Sequence, residues 1–168
     1  MESKLLILGL LLSHEMHGYQ LYEVLKQNPG TPISLKKPNT YKLLGDMEED
    51  GWVTHITEQE GNRPPRQVYS VTKKGEKAFY QLLRENLFSY PSPEFPGLVG
   101  LDFLYLLPSA DAAALLESRL KLVQSKYEEL DQMDPEIRKS HLSAAYIHKF
   151  YQNEIEWLSE LINRLEAN

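Results

Sequence analysis

Three prolines within six residues set the main constraint on how this chain folds. They are Pro91, Pro93 and Pro96. Proline has no amide hydrogen to donate and its ring clashes with the preceding turn, so no helix interior or central strand can run through this segment. The sequence therefore predicts two domains, residues 1–86 and 98–168, joined by a proline-rich linker over residues 87–97. A chain of 168 residues is long enough for two small cores.

The acidic charge of the chain lies in its second half. The formal net charge is −6, yet residues 1–85 carry 11 basic and 11 acidic side chains, so the whole excess belongs to residues 86–168. A neutral first half can still present one basic face to a nucleic acid. The absence of cysteine excludes a disulfide scaffold, thiolate zinc fingers, iron–sulfur clusters and cysteine nucleophiles. It also fits the reducing cytoplasm, where we expect the protein to act.

No segment has the length of a membrane span or the residues of a common catalytic motif. The longest apolar run, Leu5 to Leu12, has eight residues, whereas a membrane-spanning helix needs about 20. Ser13-His14-Glu15 follows it and makes no small-x-small cleavage site, so we expect a buried helix and neither a signal peptide nor a membrane contact. Glycine-rich phosphate loops and the GxSxG and HExxH motifs are absent, so the sequence predicts neither an enzyme nor a cofactor.

The first half alternates helical and strand patterns in the order of a winged helix. Apolar residues at helical spacing predict three helices, and two β-branched alternating segments and a fourth helix follow them. The predicted elements are helices at about Ser3–Leu12, Gly18–Gln27 and Pro38–Asp50, strands at Trp52–Thr57 and Gln67–Thr72, and a helix from Lys74 or Gly75. The predicted fold class is mainly α: an α+β winged helix-turn-helix domain followed by a domain of long helices.

Basic side chains of the first half gather at the start of helix three, at the hairpin tip and at the start of helix four. They are Lys36, Lys37, Lys42, Arg63, Arg66, Lys73, Lys74 and Lys77. In a winged helix, the third helix enters the major groove and the hairpin tip reaches phosphates or the minor groove. Acidic residues at 46–50 occupy the other end of helix three, which favours insertion of its N-terminal end. The sequence therefore predicts duplex DNA as a partner, with a solvated charge run as the alternative for the lysines.

The second half carries a long apolar seam on two predicted helices. The first helix begins at Ser109, and Pro135 opens the second. The seam of the second helix comprises Ile137, His141, Ala144, His148, Tyr151, Ile155, Leu158, Ile162 and Leu165. Alternating steps of four and three are typical of a coiled coil. Because Phe150, Trp157 and Leu161 widen this face, we expect a homodimer. The predicted dimer interface comprises Tyr151, Ile155, Leu158, Ile162 and Leu165.

The histidines do not predict a metal site. His14 and His17 lie three residues apart, and His141 and His148 lie seven apart on the seam, but neither pair has a clear third ligand. We expect the two seam histidines to make buried polar contacts and to make dimer stability depend on pH.

The motifs of the first half resemble the PadR family of bacterial transcriptional regulators. The resemblance covers residues 5–85 and rests on the order and spacing of four motifs. They are Leu6-Ile7-Leu8-Gly9-Leu10-Leu11, His17-Gly18-Tyr19, Asn39-Thr40-Tyr41 with Met47-Glu48-x-x-Gly51, and Arg63-Pro64-Pro65-Arg66-Gln67-Val68-Tyr69-Ser70-Val71-Thr72-x-x-Gly75. The second half resembles, by pattern alone, the helical dimerisation domain of the longer family members.

The resemblance implies a dimer that binds an operator, usually as a repressor, and that responds to a small aromatic or drug-like effector. The DNA-binding residues that it and the charge pattern predict are Lys36, Lys37, Asn39, Thr40, Tyr41, Lys42, Arg63, Arg66, Lys73 and Lys74. The candidate effector residues are Phe103, Tyr146, Phe150 and Trp157, with Phe95 and Tyr105 nearby in sequence. The alternatives are a core role for Tyr41 and for the aromatic stripe, and a winged-helix module that binds protein partners without binding DNA.

Overall fold

The computed structural model of the chain describes residues 1–27, 33, 35–59, 61, 64–90, 95 and 97–167. The elements in chain order are α1 (Glu2–Ser13), β1 (Met16–His17), α2 (Gly18–Gln27), α3 (Lys37–Glu49), β2 (Val53–Glu58), β3 (Arg66–Val71), α4 (Lys73–Phe88), α5 (Val99–Asp102), α6 (Ser109–Asp131), α7 (Pro135–Ser140) and α8 (Leu142–Glu166). A 3-10 turn at Leu104–Leu106 lies between α5 and α6. The mainly α fold class and the winged helix are confirmed.

The described residues fall into two compact units, one with residues 1–27, 33, 35–59, 61 and 64–90 and the other with residues 95 and 97–167. Each unit has its own hydrophobic core. Helix α4 continues to Phe88, two residues into the segment predicted as a linker. That the two units divide DNA binding and dimerisation between them stays a prediction.

The core of the first unit joins the helices to the sheet. Its buried side chains are Ile7, Leu8, Leu11, Leu21, Leu25, Leu44, Met47, Val53 and Tyr69. Ile7, Leu8 and Leu11 share one face of α1, and the partly buried Leu6 and Leu10 pack against the cluster beside that face. Burying one side chain of this size contributes about 1.5–3 kcal/mol to stability, so this cluster fixes α3 against the sheet.

The sheet is antiparallel with the strand order β1-β3-β2. The pair β2–β3 runs from Val53 opposite Val71 at one end to Glu58 opposite Arg66 at the other. Strand β1 adds two residues to the outer edge of β3, where His17 lies opposite Val68. The sequence did not predict β1, because two residues carry no periodicity. The β2–β3 hairpin forms the wing, with Arg66 at its tip end and Val71 at its base.

The start of α4 is built around a tight contact at the base of the wing. Thr72 caps the helix, because its Oγ1 accepts a hydrogen bond from the Gly75 amide at 3.0 Å and donates one to the Gly51 carbonyl at 2.7 Å. A Cβ added to Gly75 would lie 1.9 Å from the Trp52 carbonyl oxygen. This position therefore requires glycine because of the close backbone approach.

The core of the second unit is the seam between α6 and α8. Its buried members are Leu116, Val123, Leu158 and Ile162, and Leu120, Tyr151, Ile155, Leu161 and Leu165 pack against them. Leu158 is 0% exposed within a single subunit. Leu158 and Ile162 are thus buried within the subunit, whereas Tyr151, Ile155 and Leu165 keep part of their surface exposed, and the role of this stripe in a dimer interface stays a prediction. Helix α6 of the same chain covers this stripe, so it holds the subunit together.

The seam is also shorter than the sequence predicts. The single long helix expected from Pro135 is divided into α7 and α8, because His141 leaves the helical conformation with φ −90° and ψ 89°. Ile137 and His141 are exposed as a result. His148 remains on the seam, where its ring lies 4.4 Å from that of Tyr127 and its Nε2 lies 3.3 Å from an Asp131 carboxylate oxygen.

A second apolar stripe of the long helices is exposed. It consists of Leu115 and Leu122 on α6 and Tyr146, Phe150 and Trp157 on α8. Leu115 and Leu122 are seven residues apart, so they share a face of α6 that differs from the face of Leu116 and Val123. We call this set the second stripe.

Candidate nucleic-acid interface

The start of α3 presents basic and polar side chains to solvent. Lys36 is the N-cap, and Pro38 lies in the first turn, where its missing amide hydrogen costs nothing. Lys36, Lys37, Asn39 and Lys42 are all exposed. The structure thus brings together four of the predicted contacts at one end of the helix, and their role in binding DNA stays a prediction.

Thr40 is the exception in this turn. Its side chain is 0% exposed, and its hydroxyl donates a hydrogen bond to the carbonyl of Lys36, four residues earlier, at 3.4 Å. A side chain without surface cannot contact a duplex, so the predicted role of Thr40 is wrong. Its hydroxyl is satisfied by the backbone, and it helps to seat the first turn of α3.

Tyr41 lies against the start of α2. A Cβ on Gly18 would lie 2.7 Å from Cε1 of the Tyr41 ring, so the absence of a side chain at residue 18 makes room for this ring. Tyr41 nevertheless remains 40% exposed. It is therefore a surface side chain with one face packed, and its role is not confined to the core.

A cleft of about 710 Å³ opens between the start of α2, the first turns of α3 and the wing. Its lining comprises His17, Gly18, Tyr19, Gln20, Tyr41, Thr57, Pro65, Arg66, Gln67 and Tyr69. We call it the wing cleft. Three chain segments that are distant in sequence meet here. Arg66 and Tyr41, two of the predicted DNA contacts, both line this cleft, which supports their assignment to one surface.

The start of α2 is fixed by a reciprocal cap. The Gln20 amide donates to Nδ1 of His17, and the His17 amide donates to the Gln20 side-chain oxygen, both at 3.1 Å. Nδ1 accepts a hydrogen bond in this arrangement and therefore carries no proton of its own. Burial, and then the charge of nearby Arg66, lower the pKa of His17 below its usual value. The electrostatics thus favour the protonation state that the cap requires.

A chain of hydrogen bonds links α3 to the wing. His55 Nδ1 lies 2.6 Å from the Glu48 carboxylate, and its Nε2 lies 3.2 Å from the Gln67 amide nitrogen. The Gln67 oxygen accepts from the Tyr69 hydroxyl at 2.9 Å. One tautomer of His55, with the proton on Nδ1, satisfies every bond of this chain. Burial, and then the charges of Glu48 and Tyr41, raise the pKa of Tyr69, so its hydroxyl stays a donor.

The start of α4 lies away from the wing cleft. Lys74 donates to the carbonyl of Asp50 at 2.7 Å, at the acidic C-terminal end of α3. Six residues of β3 separate this base of the wing from Arg66, a distance of about 17–20 Å. Lys73 and Lys74 therefore lie apart from the basic start of α3, and their predicted contact with DNA stays a prediction. Lys74 satisfies a terminal carbonyl of α3.

The remaining predictions divide as follows. Arg63 lies outside the described residues. Tyr19 and Gln67 line the wing cleft although they are not among the predicted contacts. The sequence feature that could have predicted Tyr19 as a lining residue is the His17-Gly18-Tyr19 motif, because it places a phenol directly at a helix start.

A second cleft lies within the second unit. It has a volume of about 800 Å³ and is lined by Phe95, Gly97, Leu98, Leu101, Asp102, Arg119, Phe150, Asn153, Glu154 and Trp157. Of the predicted effector residues, it brings together Phe150 and Trp157. Phe103 and Tyr146 do not line it and are exposed elsewhere on the unit, and the role of all four residues in effector binding stays a prediction.

The described part of the chain carries neither a membrane-crossing helix nor a metal-ligand group. Among its helices, none has both the length and the apolarity to cross a membrane. Within the same residues, histidine, aspartate and glutamate side chains nowhere group in threes around a point where a metal ion would fit.

The three N-terminal helices, the β2–β3 wing and the basic start of α3 define a winged helix-turn-helix protein. Residues 7–81 match the family described as the transcriptional regulator PadR-like family. Over this segment the chain is similar to that family of transcriptional regulators. The family is not a class of enzymes.

Known relatives extend the match to both halves of the chain. The negative transcriptional regulator PadR of Bacillus subtilis (strain 168) is 26% identical over 130 residues, which span 76% of this chain and 70% of that protein. The crystal structure of B. subtilis PadR in complex with operator DNA superposes with a TM-score of 0.82 at 21% identity and covers 96% of this chain and 98% of the other.

Two further structures share the fold. B. subtilis PadR in complex with p-coumaric acid gives a TM-score of 0.78 at 20% identity, over 97% of this chain and 98% of the other. The Vibrio cholerae virulence activator AphA gives 0.76 at 18% identity, over 98% of each. At these identities the superpositions establish the fold.

Proposed function

We propose that this protein is a cytoplasmic homodimer that represses transcription by binding operator DNA through the start of α3 and the wing, and that a small aromatic effector releases it. The observation that carries the proposal is the exposed basic start of α3 beside the wing cleft, with Arg66 on its far wall. B. subtilis PadR, a negative regulator of the same fold, binds operator DNA and p-coumaric acid. These relatives support the sign of regulation and the existence of an effector.

The dimer in this proposal forms through Leu115, Leu122 and Tyr146 of the second stripe, which do not line the cleft of the second unit. Leu122 is 70% exposed, and Leu115 and Tyr146 are also exposed on the same unit. Covering these side chains with the same stripe of a second copy removes apolar surface from water, which stabilises association. A twofold dimer then presents two α3 helices to one face of a duplex.

Replacing Arg66 with glutamine is expected to weaken binding to every duplex and to reduce its dependence on salt. Each phosphate contact made by a basic side chain adds about 0.9 to the slope of log affinity against log salt. Two copies of Arg66 in the dimer therefore account for about 2 units of slope. The measurement is fluorescence anisotropy of a labelled random-sequence duplex over a series of salt concentrations.

The matched control for this variant is Arg84→Gln on α4. Arg84 is exposed and its guanidinium contacts the carbonyl of Tyr80 one turn earlier. The Arg84→Gln variant also loses one positive charge, but at a position outside the wing cleft. The slope of its log affinity against log salt should therefore equal that of the wild type. Equal slopes for all three proteins would contradict the assignment of Arg66. If the wild-type protein binds no duplex at any salt concentration, the alternative function is favoured, a winged-helix module that binds protein partners without binding DNA.

The effector in this proposal is a neutral or cationic aromatic compound bound in the cleft of the second unit. Phe95, Phe150 and Trp157 supply aromatic walls. The guanidinium of Arg119 is already paired with Glu154 at 2.6 Å and with the Gly97 carbonyl at 2.9 Å. With Asp102 also in the lining, the cleft carries a net negative charge. An aromatic carboxylate therefore finds no free cation among the described lining residues.

Tryptophan emission is expected to report this binding. In a Trp52→Phe variant the remaining indole is Trp157, and its emission should change with a planar aromatic amine or phenol and not with benzoate at the same concentration. Trp157→Phe is the control that should abolish the signal. A response to benzoate alone, or no response to any compound that releases the protein from DNA, would contradict the proposed cleft.

A further inference from the structure

We propose that Glu48 and His55 are positioning residues for operator binding, because together they hold the wing against α3. This inference rests on the proposed function and adds to it two residues that act through the wing and not on the duplex. The Glu48 carboxylate of α3 lies 2.6 Å from His55 Nδ1 on β2, and His55 Nε2 lies 3.2 Å from the Gln67 amide nitrogen on β3. The Tyr69 hydroxyl completes the chain with a bond of 2.9 Å to the Gln67 oxygen.

The outer half of the wing has little apolar packing of its own. The buried wing residues, Val53 and Tyr69, belong to the base and the middle of the hairpin. Residues 56–58 and 64–67 are exposed, and Ile56 among them is 58% exposed. Because apolar burial does not fix this half, its direction relative to α3 depends on the polar contacts between the wing and the helix.

The geometry of the strands places the wing members of this chain on one face. His55 lies opposite Tyr69 in the β2–β3 register, and Gln67 precedes Tyr69 by two residues, so the three side chains share a face. The centroids of the His55 and Tyr69 rings are 5.5 Å apart. Glu48 reaches this face from the last turn of α3. A single imidazole therefore joins both strands of the wing to the helix.

The link between Glu48 and His55 acts on the orientation of the wing more than on folding. Hydrogen bonds to an ionised carboxylate are shorter and stronger than those between neutral groups. The two side chains are nevertheless 37% and 27% exposed, and pairs with such exposure contribute little to global stability. A wing that is already oriented does not have to be ordered when the duplex binds, and this preorganisation raises affinity.

The test compares Glu48→Gln with Glu48→Leu, two variants of equal charge. Glu48→Gln keeps an oxygen that can accept from His55 Nδ1, whereas Glu48→Leu keeps a good helix former but no acceptor. We expect Glu48→Leu to bind roughly tenfold more weakly than Glu48→Gln, about threefold for each subunit of the dimer. The measurement is fluorescence anisotropy of a labelled duplex that carries the site protected in the DNA upstream of the gene.

His55→Phe breaks the same link from the wing side and keeps a ring beside Tyr69. It should bind more weakly than the wild type, and adding it to Glu48→Leu should cost nothing further, because both changes remove one contact. The control is Thr54→Val, which removes an exposed hydroxyl from the opposite face of β2 and should bind as the wild type does. Thermal melts of these variants should differ little from that of the wild type.

A double-mutant cycle with Arg66 tests whether the effect passes through the wing. If the link positions Arg66, most of the loss caused by His55→Phe should disappear in an Arg66→Gln background. Full additivity of the two changes would overturn the proposal, because His55 would then act independently of the wing tip.

Two other outcomes separate this proposal from the proposed function. If the wild type binds the duplex and Glu48→Leu binds as well as Glu48→Gln, the positioning role is wrong while the proposed function stands. A loss of affinity in Glu48→Leu that comes with a lower melting temperature and is absent from His55→Phe would also overturn that role. If the wild type binds no duplex, the proposed function itself fails.

Discussion

Replacing Gly75 with alanine is expected to destabilise the first unit by about 3 kcal/mol or more. The added Cβ would lie 1.9 Å from the Trp52 carbonyl oxygen and 2.9 Å from a Val71 methyl group. Neither neighbour can give way easily, since the Trp52 carbonyl accepts from the Thr72 amide and belongs to the base of the wing. The start of α4 must therefore move off the sheet, and the Thr72 cap is lost with it.

Urea denaturation followed by circular dichroism measures this effect, and Gly45→Ala is the matched control. Gly45 lies in the middle of α3, is exposed, and a Cβ there would meet no atom within 4 Å. Alanine should stabilise that helix by about 0.5–1 kcal/mol because glycine loses more entropy on folding. A Gly75→Ala protein as stable as the wild type would contradict the close approach at the base of the wing.

Replacing Leu122 with glutamate is expected to convert the proposed dimer to a monomer and to abolish tight operator binding. Burying an unpaired carboxylate in an apolar interface costs about 3–5 kcal/mol, and a twofold interface contains the substitution twice. We therefore expect the dimer dissociation constant to rise at least about a hundredfold. The monomer would engage one half-site and lose the gain that comes from holding two at once.

Sedimentation velocity measures the mass of each variant, and anisotropy measures its affinity for DNA. Ala114→Glu is the control, because it adds the same charge at an exposed position of α6 outside the second stripe. For Leu158→Ala we expect a different effect. This variant should lower the free energy of unfolding of each subunit by about 2–5 kcal/mol, because it opens a cavity in the α6–α8 seam. A dimeric Leu122→Glu protein would contradict the second stripe as the interface.

The order of the elements in the first unit follows from local patterns. The boundaries of α3 can be read from its sequence. Pro38 lies at the start of the helix, and Gly51, with a φ of 70°, lies just beyond its end. Alternating β-branched residues mark both strands of the wing to within one residue. These features depend on neighbours in sequence, so sequence suffices to predict them.

The pairing of the long helices does not follow from the sequence. A heptad stripe shows that a helix has an apolar seam, and it does not say whether the partner belongs to the same chain. Leu158 and Ile162 are covered by α6, and Leu122, which lies off the stripe, is exposed. The predicted DNA contact of Thr40 fails because of a contact that the sequence pattern does not show. A hydroxyl at a helix start is usually exposed, but the Thr40 hydroxyl is buried and donates a hydrogen bond to the backbone carbonyl four residues earlier.

The wing cleft depends on long-range contacts. Tyr19, Tyr41 and Arg66 are each about twenty residues from the next, and β1, which brings the first segment to the sheet, is too short to show a pattern. The charge pattern predicted Arg66 because a basic residue at a turn has no core role. The signal for Tyr19, its place in the His17-Gly18-Tyr19 motif, was weaker, since an aromatic residue at the start of an amphipathic helix is ordinarily assigned to packing.

The central claim is that two copies of α3 and the wing bind one face of a duplex. Hydroxyl-radical footprinting of the DNA upstream of the gene, with the full-length protein, tests it most directly. We expect two protected patches on the same face, separated by about one helical turn of 10–10.5 base pairs, and loss of both with Leu122→Glu. A single patch that Leu122→Glu leaves intact, or no protection at low salt, would contradict the account.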